Sequence, residues 1–161
     1  MDAGPMMSRL RGALSLTKAD YVRLVLLFLA SLGLVFLSHA FTREAGRIAS
    51  IWPLNALLLA MVLRQPALDW RAVLCAGGAA NIIVDLAMGD TLQRALLLTG
   101  ANLVEVSICF LLLARRGEAF DITRGRPLAR FIVVAGLAAP AASSLVAACA
   151  LIASAPFLDT L

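Results

Sequence analysis

Five apolar runs, separated by short polar and mostly basic segments, set the plan of this chain. The runs are continuous rather than alternating, and most approach the roughly 20 residues that a helix needs to cross a bilayer. The pattern predicts spans at about Tyr21–Phe41, Ile48–Arg64, Trp70–Met88, Leu92–Ala114 and Phe131–Ala153. The second is short, because Pro53 and Asn55 interrupt its apolar part near the start. Proline lacks an amide donor and suits the first turn of a helix or a kink. This segment therefore reads either as a partly re-entrant entry lining a polar cavity or as a plain helix start with Asn55 bonding a neighbour. Pro140 predicts a kink in the fifth span.

Composition agrees with this pattern. Hydrophobic residues make up 61% of the 161 residues, charged residues only 15%, and mean hydropathy is +0.92. These values exclude an ordinary soluble domain and predict an all-α integral membrane bundle of about five transmembrane helices. The net charge of +4 does not point to nucleic acid, since the basic residues lie in short loops where lipid topology explains them. Of the fourteen Lys and Arg residues, all but Arg43, Arg47 and Arg94 fall on the side that holds the N-terminus. That bias predicts a cytoplasmic N-terminus and, after five spans, a C-terminus outside. Residues 1–20 form a basic cytoplasmic lead-in, with a short interfacial helix expected near Ser8–Leu16, and residues 21–161 form the transmembrane domain. The first apolar run is long enough to remain as an anchor, so no cleaved signal peptide is expected.

Polar residues inside the apolar runs carry the functional signal. Asn81 and Asp85 are four residues apart, and Asn102 and Glu105 three apart, so each pair shares one helix face. A tight turn at Gly89-Asp90 joins their helices, and the two faces can turn toward each other. At 1.5 Å per residue, Asn81 lies about 12 Å and Asn102 about 15 Å from that turn, which predicts a contact between the two amides. Glu105 is expected near the midplane and Asp85 closer to the outer surface. A carboxyl group at that depth is costly and marks function or a specific helix contact. Trp52, Asn55, Asn81, Asp85, Asn102 and Glu105 are the candidate ligand-binding or sensing residues. His39, the sole histidine, reads better as an interfacial polar residue than as a pH-sensitive group. Cys75, Cys109 and Cys149 read as small apolar core residues, with no disulfide or metal spacing around them. No Walker loop, GxSxG or HExxH motif occurs, so neither catalysis nor a cofactor is expected.

From Ile51 to Arg64 the sequence, with its Trp-Pro-x-Asn-Ala entry, resembles the bacterial membrane-associated sensor domain of the first type (MASE-type). The resemblance runs on through Trp70, the Gly77–Asn81 segment, the Gly89-Asp90 turn, Ala101–Glu105 and the Arg115-Arg116 end, covering about residues 30–161. It implies a sensory input in the bacterial inner membrane, fused in family members to diguanylate cyclase, phosphodiesterase or histidine kinase modules. Domains of that family are longer and carry more spans, so it also implies that this chain is the first half of a longer domain. The expected partners are the lipid bilayer, an unknown small ligand, and a cytoplasmic output domain or a membrane partner. The alternative is a small transporter or channel subunit with Asp85 and Glu105 on a proton or cation path.

Overall fold

The computed structural model describes residues 17–42, 53–65, 68–114, 120, 122–123 and 125–158. The expected interfacial helix near Ser8–Leu16, Trp52, and the loop residues Arg43, Arg47, Arg115, Arg116 and Arg124 lie outside them. Among the described residues every regular element is helical. The helices are α1 (Lys18–Thr42), α2 (Pro53–Arg64), α3 (Trp70–Ala87), α4 (Leu92–Leu113), α5 (Gly125–Val133) and α6 (Ala139–Leu158). Residues Val134–Ala138 form a π-helical segment that joins α5 and α6 into one rod.

Local chemistry explains where the helices begin. Thr17 and Asp20 exchange bonds at the start of α1: the Asp20 N–H donates to Thr17 Oγ1 at 3.2 Å, and the Thr17 N–H donates to Asp20 Oδ2 at 3.1 Å. This is a capping box that satisfies two otherwise orphaned donors. Asp69 caps α3 by accepting from the Arg71 N–H, and Thr91 caps α4 by accepting from the Arg94 N–H. Between α3 and α4 the chain reverses through Gly89, whose φ of 86° is a conformation glycine adopts without strain.

Four rods are long and apolar enough to cross a membrane: 18–40, 70–87, 92–113 and 125–150. The second expected span, Ile48–Arg64, is described only from Pro53. The described part of the second segment, α2, has 12 residues, about 18 Å of helix against a hydrocarbon core of about 30 Å. The last rod begins at Gly125, within what the sequence reads as a basic loop. Large side chains face outward along these rods, among them Leu26, Leu111 and Leu145. Such surfaces suit lipid rather than water.

Contacts fix how the rods run. His39 near the end of α1 meets Asp85 near the end of α3, so these two helices are parallel and α4 returns antiparallel. The opposite end of the bundle gathers the end of α2 with the start of α3 and the end of α4. There Trp70 stacks on Phe110 with centroids 5.1 Å apart, and the Phe120 N–H donates to the Leu63 carbonyl at 3.1 Å. Arg130, near the start of the last rod, donates to the Leu112 carbonyl. The α4 helix is central, touching α2, α3, α6 and the π segment. Glycines permit this closeness. A Cβ on Gly77 would collide with the fully buried Leu58 of α2, and one on Gly78 would lie 3.0 Å from Leu103 of α4.

At Pro140, where a kink is expected, the structure shows a π-helical segment just before the proline. Pro140 cannot donate to Gly136, and its ring crowds that carbonyl. The helix widens instead, with the Ala139 N–H reaching back to the Val134 carbonyl. A π-bulge is one of the recognised ways a helix takes up such a defect.

Candidate functional site

The polar residues expected to form one cluster divide between two places. The first lies where α1, α3 and α4 meet. His39 Nε2 and Asp85 Oδ1 are 2.8 Å apart, with both side chains buried. Asn81 Nδ2 donates to Asp85 Oδ2 at 2.9 Å and to Thr99 Oγ1 at 2.6 Å. Three helices are thus tied by one chain of hydrogen bonds running from His39 to Thr99.

Two expectations change here. His39 is a buried partner of Asp85, 5% exposed, instead of an interfacial residue. Asn81 meets Thr99 instead of Asn102, which is partly buried and belongs to neither site. Depth accounts for this: Asn81 lies six residues from Ala87 and Thr99 seven from Leu92, about 9–10 Å from the turn, whereas Asn102 lies a turn further in. Direction accounts for the division. At 100° per residue, Thr99 and Glu105 point about 120° apart on α4, with Asn102 between them. The Thr99 face meets α3; the Glu105 face meets α2. Thr99 is the residue that sequence reasoning missed, because a lone threonine in an apolar run carries no signal of its own.

The second place is a cavity of about 580 Å³ between α2, α4 and the π-containing rod. Asn55 and Glu105 supply most of its polar lining, side by side at one end. The Asn55 Oδ1 atom is buried and has no hydrogen-bond partner among the described residues. Most of the wall is apolar, including Leu59, Leu63, Phe120, Phe131 and Ile132, and Arg64 lies at the far end. Phe120 and Phe131 face each other with centroids 6.1 Å apart. Along α4, Glu105 is eight residues from Leu113, about 12 Å, and along α2 Asn55 is nine from Arg64, about 13 Å. These two groups therefore sit about halfway through the bundle. The π segment supplies Ala135 and Gly136 to the same wall.

Chemically the two places differ. The His39 network is buried and ties three helices through Asp85 and Asn81, which suits holding helices in register, although the Asn81 Oδ1 has no hydrogen-bond partner among the described residues. The cavity is roomy and half open, and its acceptor groups have capacity to spare. Its volume falls within the range of small-molecule sites, about 300–1,000 Å³. Cys109 is buried and lines it, as expected of a core residue, but Cys75 and Cys149 are exposed on the bundle surface. Among the described residues no group of three His, Cys, Asp or Glu side chains is placed to hold a metal ion. No protein-family model matches the chain, and no curated protein or solved structure matches it either.

Proposed function

We propose that this chain is a membrane-embedded sensory domain whose cavity at Asn55 and Glu105 receives a small ligand. It works as the signal input to an output enzyme or membrane partner and is itself non-catalytic. Its place is the bacterial inner membrane, with the basic end of the bundle in the cytoplasm. The resemblance of the Trp52–Glu105 stretch to MASE-type domains supports the sensory role. The observation that carries it is a carboxyl group, beside an amide, on the wall of a mostly apolar cavity at mid-depth. A group so costly to keep in hydrocarbon is retained for what it contacts.

The rod bearing Ala135 and Gly136 offers the means of signalling. It forms one wall of the cavity through a π segment, a local geometry frequent at functional sites. A ligand that binds one arrangement of that wall better than another shifts the population between them.

The transport alternative asks Asp85 and Glu105 to share one path. Asp85 is absent from the cavity lining and is held by His39 and Asn81, which favours the sensory reading. Proteoliposomes test the choice. The sensory reading expects no proton or cation flux above that of protein-free vesicles. In cells, it expects the output of a fused reporter to respond in wild type and to lose its response in Glu105→Gln. Flux abolished by Glu105→Gln or Asp85→Asn would overturn it in favour of transport.

A further inference from the structure

The ligand class of this cavity follows from the hydrogen-bonding capacity left at its polar end. We propose that it binds an amphipathic primary amine, with the ammonium held by Glu105 and Asn55 and the apolar body lying along α2. This rests on the reading of the cavity as a ligand site. Asn55 and Glu105 line that end together, and the Asn55 Oδ1 is enclosed there with no hydrogen-bond partner among the described residues. A carboxylate has about four acceptor sites and no donor. The polar end therefore offers chiefly the acceptors of the Glu105 carboxylate, and what complements it is a group with several N–H donors. An ammonium has three, and it also offsets the carboxylate charge in a region where an uncompensated charge is costly. A carboxylate or phosphate would face like charge, and an alcohol would leave most acceptors unmet.

The remaining wall selects the body of the ligand. Ala56, Leu59, Ala60 and Leu63 line the α2 side, and Phe120 and Phe131 lie toward the Arg64 end. An aryl or alkyl group extending about 10 Å from the nitrogen would follow α2 to the phenylalanine pair, by the helical rise. Arg64 beyond them disfavours a second cationic centre at that end.

Isothermal titration of the purified full chain in lipid nanodiscs tests this, using 4-phenylbutylamine, 4-phenylbutanol and 4-phenylbutanoate, with empty nanodiscs subtracted. The amine is expected to bind at least tenfold more tightly than the alcohol, and the carboxylate not at all. In Glu105→Gln, which keeps size, the preference for the amine is expected to disappear. In Ala60→Phe, which fills the cavity without touching its polar end, binding of both amine and alcohol is expected to be lost. Equal affinity for amine and alcohol, unchanged in Glu105→Gln, would overturn the amine assignment and leave the cavity as a site for neutral amphiphiles. Absence of binding by all three probes in wild type would overturn both the amine assignment and the reading of the cavity as a ligand site.

Discussion

Asp85 is the residue on which the buried network depends, since it accepts from Asn81 and meets His39. Asp85→Asn keeps the shape and leaves an oxygen to accept from Asn81 and an amide to meet His39. It is expected to cost less than about 1 kcal/mol, in line with interhelical hydrogen bonds in membranes, which average about 0.6 kcal/mol. Asp85→Leu strands Asn81 and His39 in a buried site and is expected to cost about 1–3 kcal/mol. Thermal unfolding of both variants in one detergent checks the ranking, and equal losses would show that the network is not held through hydrogen bonds. The sequence made Asp85, Asn81 and Glu105 legible, because polar groups in apolar runs stand out. Their partners were less so. His39 lies forty-six residues from Asp85, and only the parallel packing of α1 and α3 brings them together. Asn102 was misjudged because its position three residues before Glu105 suggests one shared face, whereas the face of α4 turns from α3 to α2 between Thr99 and Glu105.

Helix boundaries and breaks were legible at the level of elements wherever a residue dictates them locally. The caps at Asp69 and Thr91, the Gly89 turn and the defect at Pro140 are all of this kind. The packing of α2 was legible only in part, as a weak apolar run, since nothing local says which helices flank it. Gly77 governs that packing. Gly77→Val would drive a branched side chain into Leu58, which is fully buried and cannot withdraw. A loss of about 1–3 kcal/mol is expected, as for other overpacked cores. Gly100→Ala, where nothing lies within 4 Å of the added carbon, is expected to be neutral or slightly stabilising through helix propensity. Parallel melting curves test the pair, and similar losses in both would refute the close approach of α2 and α3. At the π segment, Pro140→Ala restores a donor for Gly136. The rod is expected to relax toward regular helix, shifting Ala135 and Gly136 in the cavity wall. The measurable result is weaker binding of 4-phenylbutylamine with little change in melting temperature.

For the whole molecule, the parallel course of α1 and α3 divides the described residues between two ends. Lys18, Arg64, Asp69, Arg71 and Arg130 lie at one end, and Asp90 and Arg94 lie at the other. The basic excess is thus a property of one face of the bundle, and the orientation proposed above, by the positive-inside rule, has that face in the cytoplasm. This has a consequence for α2. Its C-terminal Arg64 shares the basic end, and its Asn55 lies at the depth of Glu105. Asn55 and Glu105 are therefore about 12–13 Å from the basic face by the helical rise, and the cavity lies in the half of the bundle nearer that face, the cytoplasmic half in the proposed orientation. Single cysteines in a background with Cys75, Cys109 and Cys149 replaced by Ala make both points measurable. A membrane-impermeant maleimide added to intact spheroplasts is expected to label Asp90→Cys. It is expected to label Lys18→Cys and Asp69→Cys only after the membrane is opened. Labelling of Lys18→Cys and Asp90→Cys from the same side would contradict the parallel packing of α1 and α3. The reverse pattern, with Lys18→Cys and Asp69→Cys labelled in intact spheroplasts, would keep the fold but invert it in the membrane. The Glu105 cavity would then lie in the outer half, and the ligand it receives would reach it from outside the cell.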